Sequence, residues 1–266
     1  MTDTLNRIYA IILRQFYVMR YSPPRILATC FWPTMQMVIW GFLNLFLTQQ
    51  TNVAHITLST FLGACLILNF FERSNVQTMW GFMEDVWGRN IANVLITPIS
   101  AIELLAGYIL NGFLYMALGV GVACVFAFML FDYSIFQLGL NIIPYIVNLT
   151  IFGWSIGILL ICLILRFGAS GEHFAWLFAF ILTPLVAVYY PVAILPAPMQ
   201  ALSWLLPPTY VFESLREQIA GQPLRMDYFL RGLGLNAVYL LVSGGVFHWE
   251  LEKARVRGGL LSMSSE

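Results

Sequence analysis

The sequence predicts an all-α membrane protein with six transmembrane helices. Of its 266 residues, 60% are hydrophobic and only 10% are charged, whereas a soluble globular domain carries about 25% charged residues. A membrane-spanning helix needs about 20 predominantly apolar residues, and six segments meet or approach that length. They are 26–48, 53–71, 104–131, 138–165, 174–195 and 232–249. Together they predict one transmembrane domain over 26–249, followed by a cytosolic tail over 250–266.

The first 25 residues (1–25) predict an amphipathic helix that lies on the membrane surface. Within 4–20, Leu5, Ile8 and Ile12 share one helical face, while the arginines lie on other faces. A helix of this pattern lies in the membrane interface with its apolar side toward lipid. The two prolines that follow Ser22 end the helix, because proline cannot continue it.

A polar stretch between the second and third spans predicts a further amphipathic helix, over 76–94. At about 100° per residue, one face is apolar and includes Trp80 and Trp87. Tryptophan suits a membrane interface. The opposite face carries three charged residues, which are Glu84, Asp85 and Arg89. This charged face is open to a soluble partner; the alternative is that the segment merely connects two spans.

The third span begins at a predicted corner. Ser100 and Glu103 have the spacing of a capping box, in which each side chain binds a free amide of the other residue. A fixed corner of this kind would transmit a push to the third span better than a loose loop.

A short helix over 209–220 is predicted between the fifth and sixth spans. Thr209 can cap its start and Gly221 can end it. Glu213 and Arg216 stand three residues apart, a spacing at which side chains on a helix meet. This helix could dip back toward the membrane and cover a cavity, or it could be an ordinary surface helix.

The distribution of arginine and lysine places both termini in the cytoplasm. Cytoplasmic segments are enriched in these residues. With the N-terminus inside, only Arg216, Arg225 and Arg231 of the 13 basic residues fall in an outer segment.

No metal site, disulfide or nucleotide-binding loop is predicted. The four cysteines lie in apolar runs, the three histidines are scattered, and the formal net charge of zero gives no indication of nucleic-acid binding. Lys253 is the only lysine and follows Glu252, so no phosphate-binding loop can form around it. The chain is therefore not expected to hydrolyse ATP.

Two serine motifs bear on a possible hydrolase. Gly153 and Gly157 flank Ser155 in the nucleophile-elbow pattern, but they lie within a span, where small residues four apart allow close helix packing. Residues 168–171 (GASG) resemble the GxSG motif of rhomboid intramembrane serine proteases, with Ser170 as the nucleophile and His248 on the last span. A rhomboid-like protease is therefore one alternative.

A stand-alone channel or secondary carrier is another alternative. Ion-driven carriers usually place carboxylates near the middle of the membrane. Here the charged residues lie at the ends of the predicted spans, which favours an energy source outside this chain.

Several soft motifs, taken in order, resemble the type-2 ATP-binding-cassette (ABC) transporter permeases. They are WP at 32–33, WG at 40–41, FMEDVWGRN at 82–90, LITPIS at 95–100 and LPPTY at 206–210. The resemblance covers nearly the whole chain. It implies the permease subunit of an ABC exporter in the bacterial inner membrane, paired with a second permease subunit as a homodimer. ATP and Mg²⁺ would bind to a separate ATPase subunit, and this chain would hold no cofactor.

The resemblance also implies roles for particular residues. The cytosolic helix would be the coupling element, braced by the N-terminal helix, with ATPase-coupling residues Trp80, Glu84, Asp85, Trp87, Arg89 and Asn90. The outer helix would gate exit, with gate residues Pro207, Pro208, Thr209, Tyr210, Glu213 and Arg216. A lipid, glycan or hydrophobic drug-like substrate would pass outward between the two permease halves, along the first, second and fifth spans.

Overall fold

The computed structural model describes residues 2–50, 56–134, 139–168 and 171–257. Every regular element in these ranges is helical, which confirms the predicted all-α class. The α-helices are α1 (Thr2–Arg20), α2 (Pro23–Gln50), α3 (Ile56–Trp87), α4 (Ile91–Ile96), α5 (Ala101–Phe131), α6 (Ile142–Phe167), α7 (Gly171–Leu185), α8 (Ala197–Ser203), α9 (Pro207–Ile219) and α10 (Met226–Arg257).

Four stretches of the described chain are long and apolar enough to cross a membrane. They are Pro23–Phe46, Ala101–Phe131, Gly139–Phe167 and Met226–Arg255. These stretches overlap the first, third, fourth and sixth predicted spans and indicate an integral membrane protein.

The other two predicted spans differ from expectation. The helix over the second span does not stop near 71 but continues as α3 to Trp87, so Glu72 lies near the middle of a 32-residue helix. The helix over the fifth span ends at Leu185 after 15 residues, about 22 Å of helix. A proline at 184 and a left-handed Ala187 (φ 55°) accompany this early end.

Helix α3 lies at the centre of the molecule and contacts α2, α5, α6 and α9. Its closest neighbour is α6, because Gly157 of α6 lies against α3: a Cβ added there would lie 2.8 Å from the Asn75 carbonyl oxygen. Gly153 is packed in the same way, and the helix-packing interpretation of this glycine pair is confirmed. Ser155 between them is fully buried and donates to the Ile151 carbonyl at 3.1 Å.

Candidate functional site

Three arginines of the first 25 residues each meet a carboxylate of α3 or α5. We call this set the N-terminal clamp. The pairs are Arg14–Asp85 (2.6 Å), Arg25–Glu84 (3.1 Å) and Arg7–Glu103 (3.5 Å). The clamp ties α1 and the start of α2 to the end of α3 and the beginning of α5.

Asp85 is the most buried carboxylate of the clamp, with only 4% of its surface exposed. Its Oδ2 accepts hydrogen bonds from Arg14 Nη2 and from the Tyr108 hydroxyl, both at 2.6 Å. A buried charge is tolerated only when it is paired and hydrogen-bonded. Because the two donors come from α1 and α5, this one carboxylate fixes three helices relative to one another.

Neutral contacts hold α1 in the same place. The Gln15 side chain donates from Nε2 to the Gly81 carbonyl at 2.9 Å. The main-chain carbonyl of Gln15 accepts from the Tyr115 hydroxyl at 3.0 Å. Ile11 packs against Gly107 of α5, where an added Cβ would lie 2.7 Å from Ile11 Cγ2. Helix α1 is therefore docked by packing as well as by charge.

The corner before α5 has the predicted capping box. Ser100 N donates to Glu103 Oε2 at 2.8 Å, and Glu103 N donates to Ser100 Oγ at 3.2 Å. Two distant arginines also reach this corner. Arg7 donates to the Pro98 carbonyl at 2.6 Å, and Arg255, near the end of α10, donates to the Ile99 carbonyl at 3.1 Å.

The structure corrects the expectation that Glu84 and Asp85 present an open charged face. Both carboxylates point at arginines of the same chain, and burial raises the pKa of Glu84 while the Arg25 guanidinium opposes that rise. Helical periodicity shows which face of a helix is polar. It does not show whether that face contacts water or an arginine of another helix. Sequence reasoning missed Arg14 and Arg25 as their partners, although complementary charge on the two amphipathic segments was a usable signal.

The remaining coupling residues fall in two places. Trp87, 50% exposed, is followed by Arg89 and Asn90 in the turn between α3 and α4. Arg89 has a left-handed backbone with φ 51°. Trp80 lies away from this turn and lines a cavity between α2 and α3.

Apolar side chains remain exposed beside this turn. Ile96 at the end of α4 is 83% exposed, and Ile102 in the first turn of α5 is 80% exposed. Together with Trp87, Arg89 and Asn93 they form what we call the α4 surface. An exposed apolar patch with polar neighbours is typical of a contact site for protein or membrane.

The predicted gate helix begins two residues earlier than expected. Pro207 and Pro208 occupy the first turn of α9, where the fixed φ of proline suits a helix and its missing N–H costs nothing. Thr209 does not cap the helix; it is buried and donates to the Ser203 carbonyl at 2.7 Å. At the other end, Gly221 follows the helix with φ 86°, as predicted.

Glu213 and Arg216 form the predicted pair at 3.0 Å and also bind the irregular backbone after α7. Glu213 Oε1 accepts from the Val192 amide at 2.8 Å. The Arg216 guanidinium donates to three carbonyls, those of Ala187, Val188 (3.2 Å) and Tyr190 (2.7 Å). Buried backbone groups outside a helix need such internal partners, so this pair supports the break in the helix.

Tyr210 belongs to an aromatic cluster that sequence reasoning did not identify. Its ring lies 5.1 Å from that of Trp204 and 5.6 Å from that of Tyr228, in edge-to-face geometry. Its hydroxyl donates to the Trp204 carbonyl at 2.9 Å. The cluster joins the end of α8, the start of α9 and the start of α10.

The comparisons with known proteins give no family assignment. No family model matches the chain, and a search of curated proteins found no match. The described residues contain no group of three metal-binding side chains. Ser170, the serine of the protease alternative, lies outside the described residues.

The N-terminal clamp predicts that substitutions of Arg14 and Asp85 have non-additive effects on the stability of the protein. Arg14→Gln leaves the buried Asp85 carboxylate without its cation, and we expect unfolding to become easier by about 2 kcal/mol, because Arg14 is itself partly exposed. Adding Asp85→Asn should recover part of this loss. Thermal unfolding of the purified protein in detergent measures both effects.

Arg20→Gln is the matched control, since Arg20 is exposed near the end of the same helix. It should change stability by less than about 0.5 kcal/mol. Equal effects of Arg14→Gln and Arg20→Gln would contradict the assignment.

A second prediction concerns the break after α7. Arg216→Met removes the donors to the carbonyls of residues 187, 188 and 190 while keeping most of the length of the side chain. Amide hydrogen exchange over 186–196 should then speed up about tenfold or more. Arg225→Met, at an exposed ion pair with Asp227, is the control and should leave exchange in that segment unchanged. Identical exchange in the two variants would show that Arg216 does not hold the segment.

Proposed function

We propose that this chain is the permease subunit of an ATP-driven ABC exporter in the bacterial inner membrane. Two copies would pair, and each would bind a separate ATPase subunit that holds ATP and Mg²⁺. The observation that carries the proposal is the N-terminal clamp beside the exposed α4 surface. A rigid corner adjacent to an open contact surface is the arrangement needed for converting a push into helix movement.

Six spans complete the proposed permease. Four are the apolar stretches already identified, and the first half of α3 and helix α7 supply the other two. Helix α7 is shorter than the bilayer core of about 30 Å. The Arg216 and Glu213 contacts support a fifth span that continues as irregular backbone within protein.

The arrangement of α10 supports placing the two functional regions at opposite ends of the molecule. Its first turn carries Tyr228, which contacts the cluster around α9, and its last turn carries Arg255, which contacts the corner before α5. The 32 residues of α10 extend about 48 Å. The arginine-rich end around α1 would face the cytoplasm, with both termini, and α9 would lie on the outer side.

In this proposal the ATPase contacts the α4 surface directly through Trp87, Arg89 and Ile96. Glu84 and Asp85 act indirectly, by keeping α1, α3 and α5 together so that movement of α4 is passed to all three helices. Asn90 is the N-cap residue before α4, and its side-chain oxygen accepts from Asn93 at 3.2 Å, which fixes the turn. At the outer end, the Glu213–Arg216 pair would hold the gate segment.

One observation favours the alternative of a self-sufficient secondary carrier. Because α3 continues unbroken to Trp87, Glu72 and Arg73 lie near the middle of a long helix. In a carrier the membrane would cover the middle of α3, and these two residues would then lie at the depth where carriers place ionisable groups. Vesicles that contain only the purified chain separate the two functions. A carrier would transport under an ion gradient, whereas the proposed permease would transport only with its ATPase and ATP.

If the α4 surface binds the ATPase subunit, a substitution on it should weaken that binding without affecting the folding of the chain. Ile96→Asp should weaken binding of the ATPase subunit at least about tenfold, since a central apolar anchor contributes about 2 kcal/mol or more to an interface. The partner to test first is an ATPase encoded in a neighbouring reading frame. Co-purification and chain-stimulated ATP hydrolysis give the measurement.

Gln222→Asp introduces the same charge at an exposed position after α9 and should bind the ATPase normally. Unchanged ATPase binding by Ile96→Asp would overturn this assignment of the α4 surface.

A further inference from the structure

A cavity of about 600 Å³ lies between α2 and α3. Its lining is mostly apolar, and Thr183 of α7 closes one side. Cavities of about 300–1,000 Å³ with a few polar groups in an apolar lining are typical of small-molecule sites. The same three helices correspond to the first, second and fifth predicted spans, along which the proposed substrate path runs.

Several polar side chains of the lining already form hydrogen bonds within the chain, and Glu72 is one of them. Glu72 Oε2 accepts from Gln36 Nε2 at 3.0 Å. Because this bond joins α3 to α2 across the cavity, Glu72 serves a structural contact between the two helices. No ion pair joins Glu72 and Arg73 within the described residues.

The neighbouring donors are left without partners. Arg73 lines the cavity, and its buried Nε has no hydrogen-bond acceptor in the part of the chain that the structure describes. The buried indole Nε1 of Trp80 likewise lacks an acceptor. Leaving a buried donor without an acceptor costs more than an ordinary hydrogen bond gains, so these two donors favour a ligand that carries acceptor oxygens.

The geometry points to a binding site for an amphiphile whose polar end carries an anionic oxygen group, a phosphate or a carboxylate. The planar guanidinium of Arg73 is suited to such a group because it donates two parallel hydrogen bonds to its oxygens. The indole N–H of Trp80, about two turns further along α3, is a second donor in the same cavity, and the apolar lining around Trp32 receives the hydrocarbon part. Glu72, close to the cation, disfavours a small free anion, which would gain no compensating apolar contact.

This inference deepens the proposed function by naming the substrate class, and its transport role rests on that proposal. The binding itself does not require an ATPase. It can therefore be tested on the purified full-length chain in a neutral maltoside detergent, with dodecyl phosphate as the probe and intrinsic tryptophan fluorescence and thermal unfolding as the readouts.

Dodecyl phosphate should bind saturably and raise the unfolding temperature. Dodecanoate should bind in the same way, since it carries the same kind of anionic oxygens. Inorganic phosphate alone, which lacks the chain, and dodecyltrimethylammonium, which lacks the anion, should bind at least about tenfold more weakly. Tight binding of inorganic phosphate, or equal binding of the cationic amphiphile, would overturn the inference.

The variant Arg73→Gln should weaken dodecyl phosphate binding at least about tenfold, and Arg73→Lys should bind with intermediate strength, because lysine keeps the charge but loses the paired donors. Arg20→Gln is the control for loss of one positive charge and should bind normally. Should Arg73→Gln fail to fold, Ala28→Phe fills the cavity while retaining Arg73 and should give a similar loss. Normal binding by either folded cavity variant would overturn the site.

A different result would contradict the exporter function and leave the binding site intact: transport of the amphiphile without ATP by vesicles that contain the chain alone. In that case the cavity would still be a binding site, and only the energy source would change.

Discussion

The arrangement of α1, α3 and α5 depends on the buried Asp85 carboxylate. It accepts from Arg14 and from Tyr108, both at 2.6 Å, and a carboxylate at that depth without such donors would strongly disfavour the folded state. Since the donors belong to α1 and α5, the position of α3 cannot change without α1 and α5 following. The weaker pairs Arg25–Glu84 and Arg7–Glu103 extend this constraint to neighbouring turns but are more exposed.

The two ends of the molecule are held by different interactions. At the clamp, charges join separate helices and leave the α4 surface exposed. At the α9 end, Glu213 and Arg216 bind the free backbone groups of a broken helix, and aromatic rings fix the adjoining corner. The cavity with Arg73 lies between α2 and α3, and its lining residues Thr29 and Trp80 adjoin the clamp. In the proposed exporter, rigid ends of this kind would confine movement to the region that holds substrate.

Much of this fold could be predicted from the sequence because composition and periodicity report burial directly. The all-α class, the capping box at Ser100 and the Glu213–Arg216 pair depend on local spacing, and each is present. The inward orientation of Asp85 depends on a partner 71 residues away, which local pattern cannot supply. The end of α7 at Leu185 is similar, since the carbonyls of the irregular backbone that follows it accept from Arg216 of another helix. The cavity likewise arises only when α2 and α3 are placed together.

The central claim is that the clamp passes movement of α4 to the transmembrane helices. The most direct measurement is the number of substrate molecules transported per ATP hydrolysed, in vesicles that contain the chain and the proposed ATPase subunit. For Arg14→Gln the account predicts that the ATPase still binds and hydrolyses ATP while transport per ATP falls at least about tenfold. An unchanged ratio, in a variant whose clamp is shown to be broken, would contradict it.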